Sequence, residues 1–413
     1  MQFIQRLRMG GLLSFPPDMD FFELQPLNVL IGPNASGKTN FIEVLELLRA
    51  TPTDFAAALR DGGGAQEWLW KGGYAEQMIE GVMRGRDPED VLNLSPNAST
   101  IEVEISRDQR IVQPLKYRLS FTTIGSRVNI IAETIEKVDW QGPEPYFYYT
   151  FQQGHPTVNI RVRTPGKRAE NRTLQWDDIS LDQSVLTQRK DRDLYPELYW
   201  LGRWFQSIQT FREWAFGRYG ALRQPQRADL PEQQLLSNSS NLALVLNQIE
   251  HKSGPVFNDH LKHFFPRIER MSTSISGGTV QFYLHESGFS APIPATRLSD
   301  GTIRFIALLA TLLAPEPPSL VCIEEPELGL HPDAVALLAD LLVEASQRMQ
   351  LVVTTHSDAL VSALTNQPAA IVTCERPGAG TVLRRLDPEK LASWLDDYRL
   401  GDLWRMGELG ANP

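Results

Sequence analysis

Leu27-Asn-Val-Leu-Ile31 runs directly into Gly32-Pro-Asn-Ala-Ser-Gly-Lys-Thr39, and this stretch decides how the chain reads. A short apolar run with one polar interruption is expected to be a strand buried in a parallel sheet. Gly32 ends it. The spacing Gly32-x-x-x-x-Gly37-Lys38-Thr39 is that of a phosphate-binding loop. Its glycines let the backbone turn tightly, so that N–H groups point inward at an anion. The helix that follows adds the positive end of its dipole. That helix is expected from near Gly37 through Leu48, with Phe41, Leu45 and Leu48 on one face. Gly32, Pro33, Asn34, Ala35, Ser36, Gly37, Lys38, Thr39 and Asn40 are the candidate phosphate-binding residues. Lys38 is placed to reach the β- and γ-phosphates, and Thr39 Oγ1 to hold Mg2+.

Three later segments carry chemistry that fits such a loop. Ser319-Leu-Val-Cys-Ile323 is a second apolar run, ending in Glu324-Glu325. Here a first carboxylate would support a metal and a second would polarise an attacking water. Tandem residues point to opposite sides of a regular strand, so both serve one site only if the strand ends there. Pro326 predicts that it does. Leu351-Val-Val-Thr-Thr355 ends at His356-Ser357, and ligands of open α/β sheets sit at the C-terminal ends of strands. His356 is therefore a candidate to hydrogen-bond a γ-phosphate or the attacking water, the alternative being a structural histidine. Arg297-Leu-Ser-Asp-Gly-Thr302 precedes the apolar helical stretch Ile303 to Leu313. Ser299 and Gly301 there read either as a second anion site or as an ordinary helix cap.

The whole chain sets limits on these readings. Its 413 residues can form one large domain or two to three moderate ones. A net charge of -10 argues against coating nucleic acid by bulk charge and leaves a local basic groove open. Cys322 and Cys374 both lie in apolar runs and read as small buried hydrophobes in a reducing compartment. The N-terminus lacks a signal peptide's apolar core, and no apolar run reaches the ~18 residues of a membrane span. The expectation is a cytoplasmic protein with no membrane contact.

Alternation from Thr100 to about Asp139 predicts an antiparallel meander, with a further strand pair over Tyr146 to Phe151 and Val158 to Val162. Helices are expected over Leu198 to Phe211, Asn241 to Ile249 and Phe257 to Phe265. Arg161, Arg163, Lys167, Arg168 and Arg172, then Arg189, Lys190 and Arg192, are basic candidates for a DNA contact. Arg203, Arg212, Arg218 and Arg223 follow among Trp204, Phe211, Trp214 and Phe216. Basic residues interleaved with aromatics can grip a strand, and a solvated helix face with Trp in the core is the competing reading.

Taken in order, the segments resemble an ABC-type ATPase head of the RecF/SMC kind. Within that class they resemble the compact AAA-family ATPases of bacterial defence and repair loci. Gly10 to Phe15 is similar to the family's opening hairpin, Gly32 to Thr39 to Walker A and Leu298-Ser-Asp-Gly301 to the signature. Glu324-Glu-Pro-Glu-Leu-Gly-Leu-His-Pro332 is similar to Walker B plus D-loop, Thr354-Thr-His-Ser357 to the H-loop, and Ser240-Asn-Leu-Ala243 to a subgroup motif. Transporter heads have Gly-Gly-Gln where this chain has Asp300-Gly301-Thr302, and the Q-loop glutamine stays unassigned, with Gln66 and Gln77 as candidates.

The resemblance implies an α/β P-loop NTPase with a mixed or parallel sheet core, an antiparallel meander in the N-terminal lobe and a helical insertion. No heptads predict coiled-coil arms. The implied units are residues 1–163, an N-terminal lobe, 164–270, a mostly helical insertion, and 271–413, a C-terminal lobe. It also implies ATP and Mg2+, with Thr39 and Glu324 on the metal and Glu325 and His356 as catalytic residues. Ser299, Asp300 and Gly301 would contact the ATP of a second subunit, so that two chains sandwich two ATP. The implied role is a nucleotide-driven clamp or sensor on DNA or on an effector protein, as in phage defence. A stand-alone repair ATPase and a transporter subunit are the alternatives, and the stretch after His356 is expected to be too short for a nuclease domain.

Overall fold

Short runs of aliphatic residues pair to make the centre of the molecule. The computed structural model describes residues 3–72, 98–106, 113–142, 145–152, 155–160, 170–173, 179–212, 214, 217, 219–378 and 380–411. Its central sheet has six strands in the order β10 (Gln209–Phe211), β15 (Leu320–Glu324), β16 (Gln350–Thr354), β3 (Leu27–Ile31), β17 (Ile371–Glu375) and β18 (Val382–Arg385). The first five are parallel, and β18 closes the edge antiparallel to β17. Alternate residues feed two cores. Val29, Ile31, Ile323 and Val353 face one, and Leu30, Cys322, Val352 and Cys374 the other. Burial on both faces explains why these strands read as unbroken apolar runs. Both cysteines are free and buried; burial pushes the Cys374 thiol up to about 12 and Cys322 well above its ordinary range.

The second core lies under an eight-stranded antiparallel sheet. Its order is β2 (Phe22–Glu23), β1 (Ile4–Gly10), β4 (Ser99–Ile105), β5 (Leu115–Ile124), β6 (Arg127–Lys137), β7 (Phe147–Gln152), β8 (His155–Ile160) and β9 (Glu170–Thr173). The meander is therefore longer than the alternation alone indicates. Between the sheets pack residues of α1 (Lys38–Ala50), α2 (Phe55–Asp61), α3 (Ala65–Trp68), α4 (Val185–Gln188) and α5 (Pro196–Gln206). The first core is covered by α6 (Leu242–Phe264), α7 (Asp300–Leu312), α8 (Pro332–Ser346), α9 (Asp358–Ala363) and α11 (Leu400–Met406), with α10 (Pro388–Leu395) against its edge. A small sheet of β11 (Gln226–Arg227), β13 (Thr279–Glu286), β12 (Ile268–Ser276) and β14 (Ile293–Pro294) packs there too.

One expectation changes. The helix read through Phe211 ends at Gln206, and Gln209–Phe211 instead pairs with β15 at the edge of the central sheet. The stretch between 164 and 270 thus adds a strand to the sheet and a helix, α6, to the core beneath it. The two helices expected over 241–265 are both present as the two halves of α6, which meet at Ser253, whose φ of -146 is non-helical. Pro255 follows it, lacking an N–H and crowding the preceding turn. Among the described residues no helix is long and apolar enough to cross a membrane.

Candidate active site

Five parallel strands deliver their next residues to one edge of the sheet. Gly32 follows β3, Arg212 follows β10, Glu325 follows β15, Thr355 follows β16 and Arg376 follows β17. A cleft of ≈ 370 Å³ opens there, lined by Asn34 to Asn40, Glu324, Glu325, Thr354, His356 and Arg376. The loop from Gly32 to Gly37 needs its glycines. Gly32 has φ 147 and Gly37 φ 106; a Cβ at Gly32 would lie 2.3 Å from Cys374 O, and one at Gly37 2.3 Å from Thr381 Oγ1. Behind the loop, Thr381 Oγ1 lies 2.7 Å from Ser14 Oγ and 2.9 Å from Ser36 O, while Asn40 Nδ2 donates to Ser14 Oγ at 2.8 Å.

Lys38 opens α1 and is 6% exposed. Its Nζ donates to Gly32 O at 2.7 Å and Pro33 O at 2.9 Å. Burial lowers its pKa, and the charges of Glu325 and Glu324 oppose that shift. Ser36 Oγ is buried without a hydrogen-bond partner among the described residues. A loop of this shape, a buried ammonium and an unpaired hydroxyl fit a polyphosphate.

The tandem carboxylates reach the cleft because the strand ends between them. Glu324 pairs with Thr354 as the last residue of β15, and Glu325 turns to φ 44, its N–H donating to Thr354 O at 2.9 Å. Glu325 Oε1 lies 4.0 Å from His356 Nε2. Burial and the Lys38 charge hold the His356 imidazole below its ordinary pKa. Glu324 Oε2 accepts from Arg212 Nε at 3.2 Å, and its Oε1 is buried without a partner among the described residues. Glu324, with an unpaired carboxylate oxygen, and Thr39, with its hydroxyl, both line this cleft and carry hard donors of the type Mg2+ takes.

The segment that resembles a signature stands elsewhere. Ser299, Asp300 and Gly301 do not line the cleft. Ser299 caps α7, its Oγ accepting from Thr302 N at 3.1 Å, so the cap reading holds for its contacts within the chain. Ser299 and Asp300 are nevertheless exposed. Asp300 pairs with buried Arg223, whose hydrogen bond lowers the carboxyl pKa. Glu327 and Leu328 link this helix to the turn after β16: Arg304 donates to Leu328 O, Thr355 Oγ1 donates to Glu327, and Ser357 N donates to Thr355 Oγ1 at 2.9 Å. Asn241, from the Ser240–Ala243 motif, is a buried clasp bonded to Pro231 O, Gln234 O and Leu236 N.

The structure corrects part of the DNA-contact expectation. Arg212 faces Glu43, Glu46 and Glu324, and Arg223 faces Asp300, so neither is presented to a strand. Trp204 and Phe211 belong to the cores. Lys190, Arg192 and Arg203 are exposed, with Arg192 over the Trp200 ring at 5.1 Å. Arg161, Arg163, Lys167, Arg168, Arg218 and Phe216, together with the side chain of Arg172, lie outside the described residues. Gln66 donates to Gly125 O and does not line the cleft, and Gln77 lies outside the described residues. Sequence reasoning missed Ser14, Thr381, Arg376 and the Glu43–Glu46–Arg212 cluster. The only signal for the cluster was Glu43 and Glu46 standing three apart on α1.

The family described as "AAA domain, putative AbiEii toxin, Type IV TA system" has a model that matches residues 27–362. Solved Smc heads share the fold. One, a SmcHead bound to the C-winged helix domain of ScpA, is 14% identical over 95% of this chain and 99% of that chain, with a TM-score of 0.55. Another, an Smc head domain with an extended coiled coil bound to the C-terminal domain of ScpA derived from Pyrococcus furiosus, is 11% identical over 96% and 99%, with a TM-score of 0.53. No curated protein matches the sequence. At these identities the likeness is one of fold, that of a P-loop ATPase head.

Proposed function

The chain belongs to this AAA-domain ATPase family, and from that premise we propose that it binds ATP with Mg2+ in the cleft and hydrolyses it, acting as a nucleotide-driven dimer. The observation that carries the reading is the convergence of Lys38, Glu324, Glu325 and His356 at the ends of three adjacent parallel strands, β15, β16 and β3. Ligands of open α/β sheets bind at such strand ends. Loop N–H groups and the α1 N-terminus hold the phosphates, and Lys38 exchanges two carbonyls for phosphate oxygens. Thr39 and Glu324 would hold Mg2+, which neutralises charge on the β- and γ-phosphates. Glu325 takes a proton from the water that attacks the γ-phosphorus; the bond to the bridging oxygen breaks, and ADP leaves with its electron pair. His356, neutral at pH 7 because burial and Lys38 depress its pKa, donates to the γ-phosphate.

Exposed Ser299 and Asp300, away from the cleft of their own chain, support a composite site in which they meet the nucleotide of a second copy. ATP then supplies the contact that closes the dimer, and hydrolysis removes it. DNA, or a separate effector protein in a defence setting, is the proposed target of this motion, in the cytoplasm. Glu325→Gln should bind ATP, lose turnover by about 10²-fold or more, and accumulate as a dimer on sizing with ATP. Normal hydrolysis by that variant would remove Glu325 as the base. Stimulation of turnover by single- or double-stranded DNA would favour a DNA target over an effector protein.

A further inference from the structure

We infer that Arg212 is a positioning residue for Glu324, fixing one carboxylate oxygen so that the other faces the metal and the phosphates. The inference rests on the reading of Glu324 as metal support. The sheet makes the pair: Phe211 lies in register with Ile323, so the next residues, Arg212 and Glu324, emerge side by side. Each guanidinium nitrogen then takes a different carboxylate. Nε donates to Glu324 Oε2 at 3.2 Å, Nη1 to Glu46 Oε2 at 3.2 Å and Nη2 to Glu43 Oε1 at 3.1 Å. A planar fork can bind three partners at once in fixed directions; an ammonium is a point charge without that geometry.

Glu324 lines the cleft and Arg212 does not, so Arg212 acts only through its partners. With Oε2 held, Oε1 is left buried and unpartnered among the described residues. A buried acceptor without a partner is costly, and that cost is relieved when a ligand meets it. Stability alone is a poor account of the cluster. Three carboxylates around one cation leave net negative charge in a half-buried place, and buried ion pairs often contribute little to folding. Anchored on α1 by Glu43 and Glu46, Arg212 also ties Glu324 to the helix that carries Lys38 and Thr39.

The test uses the whole 413-residue chain and a non-hydrolysable ATP analogue with an imido β–γ bridge, bound at equilibrium in Mg2+ and in EDTA. The readout is the gain in affinity that Mg2+ confers. Arg212→Gln should reduce that gain about tenfold or more, the usual cost of losing an outer partner of a metal ligand, with the EDTA affinity unchanged. Arg212→Lys should reduce it less, and it carries the test if the Gln variant does not fold. Glu46→Gln, which removes a charge beside Arg212 but keeps an oxygen that can accept from it and leaves Glu324 untouched, should leave the gain near wild type. Adding Arg212→Gln to Glu324→Gln should cost nothing further. A folded Arg212 variant with the wild-type gain overturns the inference, as does an equal loss in Glu46→Gln or full additivity with Glu324→Gln. If Glu324→Gln itself keeps the wild-type gain, the metal reading fails and this inference with it; if only Glu324→Gln loses the gain, the inference alone fails.

Discussion

Lys38 is an ammonium kept largely out of water, with two loop carbonyls as its hydrogen-bond partners. Burial disfavours its charge, and Glu324 and Glu325 across the cleft partly restore it. A bound triphosphate would restore it further, as the proposed phosphate-binding role of the residue requires. Lys38→Ala removes a charge-assisted hydrogen bond of about 1.5–3 kcal/mol. Equilibrium binding should therefore show ATP affinity lower by roughly ten- to a hundredfold; wild-type affinity would exclude the phosphate role. The residues that hold the loop in shape act differently. Thr381 and Ser14 meet it from behind, and nothing but hydrogen at Gly37 fits between them.

At the scale of elements, Glu133 on β6 shows how the meander is strapped to the rest. Its Oε1 accepts from Tyr117 OH at 2.8 Å and from Ser184, and its Oε2 accepts from Val185 N at 2.8 Å. One carboxylate thereby seats the start of α4 on the sheet. Burial pushes its pKa from 4.5 up to about 7, against the lowering effect of those hydrogen bonds. The unfolded chain ionises this group near 4.5 while the folded one keeps the proton until about 7. Folding stability from this residue is accordingly highest at the acid end and falls as pH rises through that window, by up to roughly 3 kcal/mol. Denaturant melts at pH 4.5, 6 and 8 should show this loss in the wild type relative to Glu133→Gln; parallel pH profiles for the two would mean the carboxyl titrates normally.

At the scale of the whole molecule, Lys38 lines the cleft and Ser299 does not, so under the proposed composite site the two should be separable by mixing. Lys38→Ala and Ser299→Arg should each be inactive alone. Combined, they should recover measurable ATPase activity, because one composite site of the mixed dimer then keeps an intact loop and an intact signature. No recovery at any ratio would place the whole site in one chain.

Legibility followed the range of the interactions. Strand β3, the loop from Gly32 to Gly37, the start of α1, and the end of β15 at Glu324 are dictated by neighbours a few residues away: apolar runs, glycines with positive φ, a proline. Sequence by itself determined these, and with them the P-loop fold. It did not determine that Gln209–Phe211 leaves its helix to join the sheet, or that Arg212 turns to Glu43, Glu46 and Glu324. Arg212 and Glu324 are 112 positions apart, and Ser14 and Thr381 are 367 apart. Such pairs depend on strand order and register, which the tertiary structure alone decided, because periodicity records which face a residue takes and carries no trace of which strand will lie beside it.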